Sequence, residues 1–184
     1  MAAKIIETPF RGLYIIEPQV FGDERGYFCE TLNLGWKDLS FPVFVQDNES
    51  LSSYGVVRGL HFQKGSAAQG KLVGVALGRV LDVVVDLRVE EPTFGQHFKT
   101  ELSDRNHRRL FIPRGFAHGF SVLSEKALFQ YKCDNFYAPE AEDGIAWNDP
   151  DLAIDWRLPA EDVVLSPKDR HHQSFAEFIR KNVK

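Results

Sequence analysis

The feature that most constrains this chain is the brevity of its apolar runs. Strand-length stretches at 56–62, 71–77, 80–87, 116–123 and 127–133 each stop at Gly, Pro or a polar turn. No long 3.6-residue apolar period separates them, so the crossover helices of a parallel sheet are not encoded. Many short strands with tight turns imply an all-β sandwich or barrel. Residues 4–16 read as two short strands broken by Pro9 and Gly12, and 21–28 as strand-like ends around an Asp-Glu-Arg-Gly turn. One short helix is expected over 34–39, with Trp36. A strand over 41–45 leads into a polar group, Gln46 to Ser50, at its end. The run at 80–87 is the most β-branched, with Asp82 and Asp86 inside it. Residues 88–94 carry Pro92 and read as a loop, 96–102 and 109–112 as strands, and 140–155 as irregular.

Two short helices are expected near the end. Ser166-Pro167-Lys168-Asp169 offers an N-cap, a proline at the first helical position and an acid three residues on. Ser174-Phe175-Ala176-Glu177 repeats the cap before Phe178 and Ile179. A chain of 184 residues is most economically one domain, 1–184. Its 43% hydrophobic content, rich in Phe, suffices for a core. A net charge of −4 leaves no basic excess for a general nucleic-acid or membrane-surface binder. Cys29 and Cys133 fall in separate strand-like segments, and the plain reading is a reduced, cytoplasmic protein. No apolar stretch has the length of a signal core or a membrane span.

The chemistry starts at Gly55-Val-Val-Arg-Gly-Leu-His-Phe-Gln63. Arg58, His61 and Gln63 interrupt what otherwise reads as a buried strand, a costly placement unless pairing or function explains it. Gln63 shares the face of His61, whereas Arg58 on a regular strand points the other way. A bulge near Gly59 would bring both into one pocket. Lys71 opens the next strand after the small-residue loop 65–70; its plainer reading is a solvated strand end. Asp82, facing into a barrel, could fix a tautomer of His118 or His61. Tyr131 shares a strand face with Phe129 and Cys133 and is equally well read as a core tyrosine. Asp169 reads first as the capping acid of Ser166, and His97 and His107 as surface residues.

Pro113-Arg-Gly-Phe-Ala-His118 resembles the second cupin motif, which implies a double-stranded jelly roll. In metal cupins that histidine is a ligand, together with residues of a first motif. Here the matching place reads His61-Phe-Gln63, which leaves too few ligands for a first-row metal.

Taken together, the motifs resemble the dTDP-4-dehydrorhamnose 3,5-epimerase family from Phe21 to about Asp169. They are Phe-Gly-Asp-Glu-Arg-Gly-Tyr-Phe, Gln-Asp-Asn, Val-Arg-Gly-Leu-His-Phe-Gln, Gly-Lys-Leu-Val, Val-Val-Asp-Leu-Arg, Ile-Pro-Arg-Gly-Phe-Ala-His-Gly-Phe, Tyr-Lys-Cys and Trp-Asn-Asp-Pro. The resemblance implies conversion of dTDP-4-dehydro-6-deoxy-D-glucose to dTDP-4-dehydro-L-rhamnose, with no cofactor and no metal. It gives His61 as base, Asp169 as its supporting acid, Tyr131 as the opposite proton donor and Lys71 as the enolate-stabilising cation. His118 with Asp82 supports the enolate end. Arg58 matches a diphosphate contact. Arg25, Glu30, Gln46, Asp47 and Asn48 match nucleotide contacts. Tyr137, followed by Glu142, matches an aromatic that stacks on thymine. Homodimers with exchanged N-terminal segments are implied, so Arg25 and Glu30 would serve the neighbouring subunit. Relatives that invert only C3 or only C5 carry the same His, Lys and Tyr, and a non-catalytic sugar-nucleotide sensor or a metal-dependent cupin are the readings from other classes.

Overall fold

The computed structural model describes residues 3–36 and 41–183. The first strands are β1 (Ala3–Glu7), β2 (Tyr14–Pro18), β3 (Val20–Asp23) and β4 (Gly26–Cys29). The central ones are β5 (Gln46–Ser53), β6 (Val57–Gln63), β7 (Lys71–Leu77) and β8 (Arg79–Asp86). Then follow β9 (His97–Ser103), β10 (Arg109–Ile112), β11 (Phe116–Val122), β12 (Lys126–Cys133), β13 (Glu142–Gly144) and the helix α1 (Phe175–Asn182). Six strands form one sheet in the order β1-β2-β10-β7-β12-β5, and five form a second in the order β13-β6-β11-β8-β9. Every pairing between these strands is antiparallel, and β3–β4 stands as a separate hairpin. The result is the expected all-β jelly-roll barrel.

Alternation along β8 explains why its run is so apolar. Val80 and Val84 enter the core between the sheets with Val73, Leu110, Phe120 and Phe129. Leu81, Val83 and Val85 face outward, where Ile145, Leu152, Trp156, Phe175 and Phe178 cover them. A strand buried on both faces loses the usual polar alternation. The chain after β13 is therefore a layer across the outside of the five-stranded sheet. No helix among the described residues is long and apolar enough to cross a membrane.

Several expectations are corrected. Residues 41–45 form no strand: Pro42 lacks a donor, and Phe41 and Phe44 pack instead on the outside of the six-stranded sheet with Ile16, Trp36 and Leu72. The polar group that was expected at that strand's end is itself the strand β5, at a sheet edge, where charged side chains discourage further pairing. Residues 34–35 are a turn, and the rest of the helix expected over 34–39 lies outside the described residues. Residues 140–155 contain β13, paired with β6. Of the two expected C-terminal helices only the second is α-helical. Ser174 and Glu177 form the reciprocal capping box, whereas the first gives only a single 3₁₀ turn at Asp169–His171, with Lys168 and not Ser166 at its N-cap. His97 and His107 are half-buried, not exposed.

Candidate active site

β6 carries the bulge anticipated at Gly59. His118 of β11 pairs with His61 and Phe120 pairs with Arg58, so a step of two positions on β11 is matched by a step of three on β6. Residues paired across antiparallel strands share a face, and His118 and Phe120, two apart, share theirs. Arg58 and His61 therefore project from the same, inner side of the sheet. Gly59 has φ +120°, and a Cβ there would sit 2.5 Å from the Cα of Gly119. From that side Arg58 Nε donates to Ser52 Oγ of β5 at 3.2 Å, joining the two sheets.

His61 Nε2 lies 2.5 Å from Asp169 Oδ1. Asp169 is 4% exposed. Burial pushes its carboxyl up, but hydrogen bonds from His172, His61 and Ser166 outweigh this and hold it well below the usual carboxylate range. Ser166 Oγ donates to Asp169 Oδ2 at 2.7 Å and accepts from Asp169 N at 3.1 Å. The Ser166–Asp169 contact read as a helix cap is present although no α-helix follows it, and it orients the carboxylate towards His61. With Nε2 committed to Asp169, Nδ1 is the ring nitrogen of His61 left for chemistry.

Across the barrel, β12 and β7 supply Tyr131 and Lys71. His61, Lys71, Tyr131, Gln46, Tyr137 and Glu142 line one cavity of about 100 Å³. Lys71 also lines an adjoining cavity of about 250 Å³, with His118, Phe116 and Phe178. The Lys71 ammonium lies 5.8 Å from the Tyr131 ring centroid. Burial pushes its pKa down, against the pull of Cys133, Glu142 and Asp82. Burial pushes the Tyr131 phenol up, which keeps its proton in place. His118 Nε2 lies 2.9 and 3.1 Å from the two oxygens of Asp82. Asp82 is fully buried, and burial raises its pKa against the attraction of His118 and Lys71.

The rim is tied together by amides. Gln63 donates to the carbonyls of Ala67 and Phe136 and accepts from Ala138 N. Gln46 accepts from Tyr137 N at 2.8 Å and donates to Asn48 at 3.0 Å. The exposed Tyr137 donates to Glu142 at 2.5 Å, and Lys168 pairs with the same carboxylate. Burial raises the Glu142 carboxyl, but its bonds from Lys168 and Tyr137 bring it below its ordinary value.

Five expected contact residues do not line this cavity: Arg25, Glu30, Asp47, Asn48 and Arg58. Asp47 projects from the opposite face of β5 and pairs with Lys132, in an outer groove of about 470 Å³ that Arg109 also lines. Arg25 lies at the exposed hairpin, paired with Asp23 at 2.5 Å. Glu30 accepts from Asn33 at 3.0 Å. Two residues that sequence reasoning missed are Lys168 and His172. His172 Nε2 lies 3.3 Å from Asp169 Oδ1, its ring edge-to-face with His61 at 5.2 Å. Adjacency to Asp169 was the only available signal, and it is weak without the turn. Among the described residues, His61, Asp169 and His172 are the one group of side chains arranged to hold a metal ion.

His61 stands on one sheet, held by a carboxylate from the C-terminal turn, with a protonated phenol and a lysine on the facing sheet. This arrangement can remove and return protons at carbon beside a carbonyl. Comparison with known proteins agrees. The family model for dTDP-4-dehydrorhamnose 3,5-epimerase matches residues 7–177. A dTDP-4-dehydrorhamnose 3,5-epimerase of Pseudomonas aeruginosa is 54% identical over 167 residues, covering 89% of this chain and 91% of its own. The crystal structure of the Elizabethkingia anophelis enzyme of the same name is 53% identical with a TM-score of 0.88, covering 95% of this chain and 97% of that one. A Legionella pneumophila dTDP-6-deoxy-D-glucose-3,5-epimerase, solved in complex with dTDP-4-keto-L-rhamnose, is 50% identical with a TM-score of 0.86. That match covers 94% of this chain and 92% of the other. The chain belongs to the dTDP-4-dehydrorhamnose 3,5-epimerase family.

Proposed function

We propose that this chain converts dTDP-4-dehydro-6-deoxy-D-glucose to dTDP-4-dehydro-L-rhamnose, inverting C3 and C5. The observation that carries this reading is the opposition of His61 and Tyr131 on facing sheets around one cavity. The C4 ketone acidifies the C–H bonds at C3 and C5. His61, held by Asp169, takes the proton from one face of the ring, and Tyr131 returns one to the other face. Each such transfer by a placed group contributes roughly 10²–10⁴-fold. Lys71, with His118 and Asp82 beyond it, stabilises the negative charge that develops on the C4 oxygen. No bound cofactor is needed for this chemistry.

The nucleotide occupies the rim. Arg58 suits the diphosphate, because a planar guanidinium matches phosphate oxygens. Tyr137 is 52% exposed, which leaves its ring free to stack on thymine beside Gln46, Asn48 and Glu142. Arg25 and Glu30 serve the neighbouring subunit's nucleotide site in a homodimer that exchanges N-terminal segments. In support, the β3–β4 hairpin exposes Phe21, Tyr27 and Phe28 together, an apolar surface suited to burial against a second copy. One domain spans 1–184, working in the cytoplasm.

Turnover in deuterium oxide, followed by NMR, tests the reaction. Solvent deuterium is expected at both C3 and C5 of the 4-keto sugar. Incorporation at one carbon alone would replace this reading with a single-site epimerase, and none from any 4-keto sugar nucleotide would sink it.

A further inference from the structure

Two imidazoles converge on one carboxylate oxygen beside the cavity. Asp169 Oδ1 lies 2.5 Å from His61 Nε2 and 3.3 Å from His172 Nε2, and all three atoms lie within 4.8 Å of one another. Ser166 occupies the other carboxylate oxygen. The position of His172 is closely built: a Cβ on Gly144 would sit 2.5 Å from its ring, so the ring packs flush on backbone that pairs with His61. His61 has a side-chain exposure of 29%, against 9% for His172, so the group opens to the cavity on the His61 side.

We propose that His61, Asp169 and His172 form an inhibitory site for a divalent transition-metal ion of the zinc class. Two imidazole nitrogens and one carboxylate oxygen are a three-ligand set for such an ion, with the fourth position open to the cavity. Donors around a tetrahedral zinc stand roughly 3.3 Å apart. The His172–Asp169 spacing already meets this, and the His61–Asp169 contact has to open by less than about 1 Å. Only His61 is shared with the depleted cupin ligand positions; Asp169 and His172 both come from the C-terminal layer.

Capture of the ion removes the base. A neutral imidazole bound to metal through Nε2 carries its one proton on Nδ1. Each ring thus exchanges its Nε2 proton for one on Nδ1 through solvent, with no net proton change. His61 is left without a free lone pair, and Asp169 neutralises part of the metal's charge. Metal binding itself does not depend on the function proposed above; the inhibition does.

The test uses the full chain, stripped with a chelator and titrated with Co²⁺ and then Zn²⁺. One Co²⁺ per chain is expected, with the visible absorption of a four- or five-coordinate nitrogen–oxygen site, displaced by Zn²⁺. The ring nitrogen signals of His61 and His172 should move together in the wild-type NMR spectrum. The epimerase rate should fall with the same midpoint and return on chelation. His172→Gln, with His172→Asn as a second replacement checked for folding by circular dichroism, should weaken Zn²⁺ binding by at least about tenfold. Loss of outer contacts alone typically costs 10–100-fold. His171→Gln, at the exposed neighbour, should bind as wild type does. Unchanged binding in both His172 variants, loss in His171→Gln, or unmoved His61 and His172 signals would each overturn the site. Metal binding as described in a protein without epimerase activity would instead overturn the proposed reaction and leave the site standing.

Discussion

Arg58 and His61 share one face of β6 although they stand three positions apart. The extra residue at Gly59 reverses the alternation, and Phe120 and His118 of β11 fix both side chains on the inner side. This is how one short strand turns both a guanidinium and an imidazole to the inner side of the barrel. Gly59→Ala is expected to break it. The backbone there is in the region that favours glycine, and the added Cβ meets Gly119 Cα at 2.5 Å and His118 O at 2.7 Å. Strain of this kind costs on the order of 1–3 kcal/mol, before any clash with backbone. A lowered melting temperature and a raised KM for the sugar nucleotide should appear together. A variant with wild-type stability and kinetics would show that the bulge is incidental.

His61→Asn and Asp169→Asn should both lower kcat while nucleotide binding persists, because neither removes a diphosphate contact. Loss of the base is expected to cost about 10²–10⁴-fold. Asp169→Asn should fall in the same range, since an amide nitrogen in place of Oδ1 or Oδ2 faces donors from His61, His172 or Ser166. Calorimetry with dTDP separates binding from turnover.

Lys71 predicts an alkaline limit on activity. Burial lowers its pKa, so the protonated fraction falls as pH rises through a value below that of an ordinary lysine. The cation is the active form, and kcat should therefore decline on the alkaline side. Lys71→Arg should move that limb to higher pH, and Lys71→Met should lower kcat by about 10²–10³-fold. A limb unchanged in Lys71→Arg would assign it to another group.

Tyr131→Phe separates the two halves of the reaction. His61 can still exchange protons on its own face, so deuterium should enter the recovered substrate while formation of inverted product falls about 10²–10⁴-fold. The ring stays against Phe129, 6.1 Å between centroids, so stability should hold. Inversion at the wild-type rate would remove Tyr131 from the donor role.

Ser174→Ala should cost about 1 kcal/mol through loss of the cap on Glu177 N. The helix it starts places Phe178 edge-on against Phe62 at 5.6 Å, next to the cavity. Thermal unfolding measures the loss, and an unchanged midpoint would mean that packing alone fixes α1.

Much of this arrangement was legible in the residues. The β-branched run of β8, the turn at 23–26 and the need for a bulge at Gly59 follow from local pattern. Asp82 was readable as a partner of His118 because period-2 alternation turns it inward. Other parts depended on long-range geometry. Asp47 sits one residue from Gln46 and Asn48, and once 46–53 is a strand, alternation alone sends it to the outer face. The expected strand at 41–45 obscured this, because Phe41 and Phe44 are apolar for a different reason: they pack on a sheet's outside. His172 and Lys168 reach the site only through the turn after Ser166, and no spacing rule in the sequence marks that turn as crossing β6.

The outer layer over β8 also sets an order of assembly. Asp169, which His61 needs, follows every described strand in the chain and belongs to the segment that covers Leu81, Val83 and Val85. During synthesis both sheets can pair before that segment leaves the ribosome. On the proposed mechanism the barrel therefore closes around its pocket while still chemically silent, and becomes competent only when the tail folds down.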